Sequence, residues 1–563
     1  WMRDDLSTLT NPYPDHEDLQ GPAGRDIPYA MAAFIPRRSR LVTSEEQMAP
    51  ILRDACAAKG TRFAAVGWQE AGLLTEDVLA RFPYEEHPAN IALVVRTAEE
   101  LGVSQDFALK EMADRVVPDL GVLKAFPRAP VRGRWLQFVN GMSANERYAT
   151  LANWTRMGFD RQDPGREPGV AVSTVVNNRA DRVARSRVFA SMLVRDLSAD
   201  RHVLIGSNLQ GLTGYIEEAL QGYLAGVSLW PQGGGAEDRS PETILSSAAG
   251  GLRQVRDDSE LAAQLAACLP GDDGARAYLD LLDEPERLRE ALARDGLADA
   301  ASIVAHVRRW RGQRDAYKEL QDRLARADGP DAALDEAFRR WWAAAFRDKL
   351  VVIHDSHAAA DSIVERLAEV TPPGHLNRIM GIQNIKGAGL EFIYRWRAWE
   401  EAYTASQQLA SSDPKAAADG LQRLRAFREH GALTYETVQA AVAHARERPE
   451  MQTDVRRAAL WAIHEAAEAA RPDRADGDVS GGGGSGPLRR AVALLESFLD
   501  AGDAVRRRKV AERVYRDLVA ERIGYERASR VLLELTKRQE GGWLYRALVH
   551  RWQRVTGAAD RRA

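Results

Sequence analysis

The sequence predicts an α/β protein: a parallel, doubly wound sheet with an all-α insertion, preceded by a smaller α/β segment and followed by an all-α extension. Three observations carry this. From Leu41 onward, short apolar runs alternate with helical periodicity, the rhythm of βα units on a parallel sheet. The five strongest runs, RWLQFVN, GVAVSTVVN, HVLIG, KLVVIHD and HLNRIMGI, are apolar on both faces, as strands covered by helices on two sides must be. The chain has 563 residues, and single hydrophobic cores stop growing at roughly 250–300 residues, so several domains are expected.

The chain opens Trp1-Met2 and passes directly into a strand-like LSTLT segment, so further sequence is expected upstream. Asn11-Pro-Tyr-Pro-Asp15-His16 follows, placing a carboxylate and an imidazole just beyond that strand. RLVT reads as a strand edge, and the next helix is expected to open at Ser44, with Glu45 and Glu46 favouring the helix dipole in its first turn. TRFAAVGW is the next strand. HPANIALVVRTAEELGV and SQDFALKEMADRVV are amphipathic helices, the second capped by Ser104. From Val131 a strand, loop and helix unit repeats, with helices expected to begin near Glu146, Ser186, Leu212, Ala358 and Gly387.

Between the third and fourth of those strands, a helical, charged segment at about 229–346 interrupts the rhythm and reads as an insertion. The expected domains are 1–128, 129–400 containing that insertion, a helical extension at 401–475, a Gly/Ser-rich flexible linker at 476–487, and a helical tail at 488–563. That tail holds 18 Lys and Arg against 10 Asp and Glu, a net +8 where the whole chain is -4, leaving -12 for the rest. A basic helical tail suits an acidic polymer or anionic surface as well as a solvated, salt-bridged face.

Composition excludes whole classes. With 45% hydrophobic and 28% charged residues the chain is neither disordered overall nor fibrous. Its overall negative charge gives no reason to expect nucleic acid. Cys56 and Cys268 have no metal-ligand or disulfide-framework spacing, which fits a reducing compartment. No apolar run approaches the roughly 18 residues that span a bilayer.

Ligands of open α/β sheets bind beyond the carboxyl ends of the strands. Those ends carry Asn140, Asn145 and Glu146; Asn177, Asn178, Arg179, Asp181 and Arg182; Ser207 and Asn208; His354 and Asp355; and Gln383, Asn384 and Lys386. Amides, cations and carboxylates from five ends describe a polar, anion-handling rim. His354-Asp-Ser-His357 would suit a metal, but Asp355 or Ser356 capping the following helix is the simpler reading. Trp341, Trp342 and the aromatics of YRWRAWEEAY read as helix-packing residues.

The Asp15-His16 motif after a strand, the HPANIAL helix at His87–Leu93 and a distinct later α/β domain together resemble the Mur ligase superfamily of ATP-dependent amide-forming enzymes. More closely, FVNGMSANERYATLANW, VVNNRADRVARSRVFA and GIQNIKG resemble the ligase subunit of capsule-type poly-γ-glutamate synthases (CapB/PgsB type). The similarity covers roughly residues 6–228 and 347–395. It implies that 1–128 is the C-terminal part of a Mur-ligase-like central domain and that 129–400 is a Rossmann-like C-terminal domain. It further implies ATP-dependent γ-glutamyl bond formation through an acyl phosphate, with Mg²⁺ as cofactor and glutamate and poly-γ-glutamate as substrate and product. Membrane partner subunits and a place on the cytoplasmic side of the membrane are implied as well.

By motif position, the resemblance assigns His16 to the metal, Asn90, Asn384 and Lys386 to ATP, and Arg179, Asp181, Arg182, Asn140 and Asn145 to catalysis. The sequence departs from the family pattern at Glu146, Asn178 and Gln383, where the family has Asp, Cys and Gly. No Gly-Lys-Ser/Thr occurs, so the phosphate-binding loop is expected upstream, and this chain without it is expected to be inactive. The alternative is a non-catalytic polymer-binding or assembly subunit on a degenerate ligase core. Glutamate addition to a folate-like acceptor ranks below both.

Overall fold

A computed structural model describes residues 4–12, 26–231, 240–270, 274–297, 299–356, 358–471 and scattered positions between 509 and 531. The fold is mixed α/β with parallel sheets and many helices. It divides into two compact units. Among the described residues, the first comprises those up to Lys124, Ala180–Arg185 and those after 508; the second comprises Ala125–Arg179 and Ser186 to Arg471. No helix among the described residues is long and apolar enough to cross a membrane.

In the first unit β1 (Ser7–Leu9), β2 (Arg40–Thr43) and β3 (Arg62–Ala65) form a parallel sheet in that order. Successive residues of β2 face opposite sides. Leu41 packs with Leu52 and Cys56 of helix Ala49–Lys59, while Val42 packs with Ala92 and Leu93 of helix Pro88–Glu100. Arg40, Arg62 and Arg96 converge on the Glu100 carboxylate, which is 5% exposed.

The helix expected from Ser44 begins instead at Ala49. Residues 44–48 form a turn, because the Glu45 N–H donates to Thr43 Oγ1 at 3.0 Å and Glu45 Oε1 accepts from the Met48 N–H at 2.9 Å. Pro50, which lacks a donor, then sits in the first helical turn where none is needed. Likewise β3 stops at Ala65, and Trp68 starts a short helix, Trp68–Gly72. Ser104 occupies the N-cap position of helix Gln105–Arg115 without a side-chain capping bond.

The larger sheet contains β4 (Lys124–Ala125), β5 (Ala129–Val131), β6 (Arg134–Asn140), β7 (Val170–Asn178), β8 (Arg201–Gly206), β9 (Leu350–Val352) and β10 (Leu376–Ile382). Its order is β4-β6-β10-β7-β8-β9, with β5 antiparallel to β6. From β6 to β9 every neighbouring pair is parallel. β10, the last strand among the described residues, is thus inserted between β6 and β7, so the chain moves one way from β6 to β9 and the other way from β9 to β10. Right-handed crossovers then put the returning connection on the opposite face.

Helix Ala388–Ala410 supplies the largest core residues, with Phe392, Trp396 and Trp399 fully buried. The Phe392 and Phe138 rings meet edge-on at 4.9 Å. This helix runs unbroken through residue 400 and continues into a cluster with helices Pro414–Ala426, Ala432–Arg446 and Asp454–Ala469. Between β8 and β9, helices including Asp258–Ala267, Pro285–Arg294 and Ala300–Ala325 close a core of their own around Leu261, Leu288 and Val307.

Several boundaries differ from expectation for identifiable reasons. The helix expected near Ser186 begins at Val183, and the Ser186 hydroxyl is engaged with Asn178. The helix expected near Leu212 begins at Leu209, because Asn208 adopts a left-handed conformation (φ +54°) and caps it by accepting from the Gly211 N–H. KLVVIHD contributes only three strand residues at the sheet edge. Asp355 and Ser356 do not cap the following helix, Ala360–Val370, whose N-cap is Ala359. Trp342 is buried in helix Ala332–Arg347, a packing residue as expected.

Candidate functional site

The carboxyl ends of β6, β10, β7 and β8 bring the expected amides together. Asn177 and Asn178 close β7 and are both 1% exposed. Asn177 Nδ2 donates to the Asn384 carbonyl at 2.7 Å and to the Lys386 carbonyl at 2.8 Å, while Asn384 Nδ2 donates back to the Asn177 carbonyl at 3.0 Å. This reciprocal bond ties the turn after β10 to the end of β7. Asn178 Nδ2 reaches the carbonyls of Ser207 and Asn208, tying in the turn after β8. Asn178 Oδ1 accepts from the Ser186 hydroxyl at 2.7 Å and from Gln383 Nε2 at 2.8 Å.

Asn178 and Gln383, two of the positions that depart from the family pattern, are therefore hydrogen-bonded partners. Gln383 is fully buried at φ +83°. The backbone keeps a conformation natural to glycine although a side chain is present, at a cost of order 1–3 kcal/mol that its surroundings must offset.

Two glycines let the turns close. A Cβ on Gly206 (φ +93°) would overlap the Asn178 carbonyl oxygen, and one on Gly389 would overlap Asn177 Nδ2. Two buried oxygens of this network, Asn177 Oδ1 and Gln383 Oε1, have no hydrogen-bond partner. Unpaired buried acceptors are uncommon in folded proteins.

Asn140 ends β6 at 2% exposure, level with Gly381 of β10, and its Oδ1 accepts from the Met142 N–H at 3.3 Å. Asn145 is half-buried beside Glu146, which caps helix Arg147–Arg156 through the N–H groups of Tyr148 and Ala149. Arg179 is half-buried directly after β7. Asp181 and Arg182 belong to the first unit; their side chains are 6% and 22% exposed and lie 3.9 Å apart. Lys386 is exposed.

Asn90 is exposed on helix Pro88–Glu100, and its Nδ2 donates to Glu86 Oε1 at 2.8 Å. His87 opens that helix, its ring nitrogen accepting from the Ala89 N–H. His16 and Asp15 lie outside the described residues, as does His357. Among the described residues no three His, Cys, Asp or Glu side chains stand together as metal ligands.

The rim's amides were legible as strand ends. Ser186, read as a helix start, is a member of the network instead, and nothing in its sequence neighbourhood distinguishes it. Gly206 and Gly389 carried a possible signal, each lying within a few residues of a strand end or the turn after it. Sequence reasoning missed a buried cationic cluster at the opposite ends of the strands, at Arg201, Arg253 and Lys349.

Comparison with known proteins agrees with the resemblance. Residues 126–263 match the family described as "Poly-gamma-glutamate synthase CapB C-terminal domain". A Bacillus subtilis (strain 168) protein named PGA synthase CapB is 27% identical over 220 residues, which are 38% of this chain and 53% of the relative. The Bacillus anthracis protein named capsule biosynthesis protein CapB is 27% identical over 213 residues, 38% of this chain and 44% of the relative. The chain spans about half the length of the curated relatives it matches. No solved structure matches it. Residues 126–263, which contain Asn140, Asn145, Asn178, Arg179, Asp181 and Arg182, are thus similar to the poly-gamma-glutamate synthase CapB C-terminal domain, and over 38% of its length the chain resembles the CapB-type poly-γ-glutamate synthases.

Proposed function

We propose that the protein is the ligase component of a poly-γ-glutamate synthase and joins glutamates by ATP-dependent γ-amide formation. The observation that carries this reading is the family match over 126–263, which spans the five residues assigned to catalysis. In the proposed step the amine of one glutamate attacks the activated γ-carboxyl carbon of another. The N–C bond forms, the C–O bond to the leaving phosphate breaks, and the attacking nitrogen gives up a proton. Arg179 and Arg182 would grip substrate carboxylates, which a guanidinium does in bidentate fashion. Asp181 would orient the incoming ammonium. The amides of Asn140 and Asn145 would donate to the oxyanion of the tetrahedral intermediate, where negative charge develops.

The described residues do not provide a cradle for ATP or ligands for Mg²⁺. The Asn384 amide is used as a brace on Asn177, Asn90 is bonded to Glu86, and no three of the carboxylate, imidazole or thiol groups stand together as metal ligands among the described residues. No step is therefore assigned through either group. Membrane partner subunits and a position on the cytoplasmic side of the membrane belong to the same proposal, as what the resemblance implies.

One observation favours a second reading, a non-catalytic polymer-binding subunit: the rim's amides are largely bonded to one another. The two readings separate in one experiment on the protein expressed from its full reading frame. A ligase releases ADP in a glutamate-dependent manner and loses that activity on Arg179→Ala or Asp181→Ala. Salt-sensitive retention of poly-γ-glutamate without ADP release would establish the second reading, and neither behaviour would refute both.

A further inference from the structure

At the amino ends of the same strands lies a second polar cluster that the proposed reaction does not use. Ser173 of β7 and Arg201 of β8 are register partners, so their side chains leave the same face of the sheet. Beside them the Arg253 guanidinium, 2% exposed, donates to Asp200 Oδ2 at 2.9 Å and to the carbonyls of Gln162 and Val170 at 2.7 and 3.2 Å. Arg309 pairs with Asp348 at 2.7 Å, and Arg201 shares that carboxylate at 3.5 Å. Arg201, Arg253 and Arg309 thus share two carboxylates in a largely buried place, and Arg256 is paired with Glu260 at 2.8 Å beside them. Burial and the neighbouring Arg309 push the Arg201 guanidinium down to about 10.

A cavity of about 360 Å³ opens onto this cluster, walled by the starts of β7 and β8 and by helices Asp258–Ala267 and Ala300–Ala325, with Trp310 on one side. That size lies within the range of roughly 300–1,000 Å³ typical of small-ligand sites. Three residues that border it hold buried polar atoms with no hydrogen-bond partner: Ser173 Oγ, Arg201 Nε and Gln162 Oε1. One is a donor, one an acceptor and one can be either. Buried polar groups in folded proteins are overwhelmingly paired, so three orphans around one polar cavity point to a missing partner.

We propose that this cavity is a second binding site, for a small amino acid or hydroxy acid. Its carboxylate would meet the Arg201 Nε–H and the Ser173 hydroxyl, and its N–H or O–H group would meet Gln162 Oε1. A simple carboxylate satisfies only the two donors and leaves the acceptor unpaired. Because the cavity lies at the strand ends opposite the rim, its occupant is an effector rather than a reactant. It would tie the helices between β8 and β9 to the sheet.

The test uses two matched pairs of ligands, glutamate against glutarate and malate against succinate, titrated into the full chain by calorimetry with Trp fluorescence in parallel. Within each pair the member with the donor is expected to bind about tenfold more tightly, since a site built to pair a polar group rejects the analogue lacking it. Ser173→Ala, which removes only the hydroxyl, and Arg201→Gln should each weaken the tighter ligands severalfold or more, while Asn384→Ala at the rim should leave malate binding unchanged. Malate also separates this site from any glutamate bound at the rim. Equal affinity within both pairs, undiminished binding in both variants, or no binding of glutamate or malate at millimolar concentration would each overturn the proposal.

Discussion

Replacing Lys349 by Met should make the protein more stable, and more so at pH 7 than at pH 9. The Lys349 amine is enclosed beside an apolar cavity bordered by Tyr223, Phe338, Trp342 and Phe346. Burial, with lesser repulsion from Arg253, Arg309 and Arg201, lowers its pKa from 10.5 to about 7, against a smaller raising effect of Asp200. The unfolded chain therefore binds the proton more tightly than the folded one, so stability rises with pH between about 7 and 10.5. At about 1.4 kcal/mol per decade, the lysine costs about 4 kcal/mol at pH 7 and about 2 kcal/mol at pH 9. Methionine is of similar length and titrates nowhere in this range, so it removes the penalty while filling the space. Urea unfolding of parent and variant at both pH values gives the difference directly and cancels contributions from every other titrating group. An advantage independent of pH, or a loss of stability at pH 7, would refute the argument.

Three further outcomes follow from the rim and the cysteines. Gly206→Ala should lower the unfolding free energy by more than about 2 kcal/mol, since the added carbon overlaps the Asn178 carbonyl oxygen at a φ of +93°; a melting temperature unchanged from the parent would contradict the close approach. Gln383→Gly relieves roughly 1 kcal/mol of left-handed strain but empties a buried site and releases Asn178, so a net loss of about 1–2 kcal/mol is expected, read by chemical denaturation. Cys56 and Cys268 are both buried, and burial pushes the Cys268 thiol up to about 12; neither should react with a thiol-specific disulfide reagent at pH 8 until the chain is unfolded.

The larger sheet was readable because buried parallel strands must be apolar on both faces, and RWLQFVN coincides with β6 residue for residue. The amides of the rim were readable as strand ends. Their mutual bonding was not, since Asn177 and Asn384 stand 207 positions apart and no local pattern encodes such a pairing. The +83° φ of Gln383 was signalled only by the glycine that the family pattern has at that position. The amino-end cations escaped for a related reason. Lys349 and Arg201 flank apolar runs where charged residues ordinarily reach solvent, and only the helices folded over them bury them. The start of helix Ala49–Lys59 was misread because Ser44 and Glu45 resemble a cap, whereas Pro50 was the stronger signal.

Helix Ala388–Ala410 acts as a mechanical strut. Its first half is clamped against the sheet by Phe392 and Trp396, and its second half is clamped into the following helices by Ala402, Ala405 and Leu409. The turn carrying Gln383, Asn384 and Lys386 is spliced directly to its near end. Leverage applied to the far end, for instance by a partner seizing the helices beyond Pro414, would be delivered to that turn and to its bonds with Asn177 and Asn178. Cutting the chain after residue 400 would leave the strut with one clamp, so the helices that follow and the sheet are bound to loosen together rather than separately.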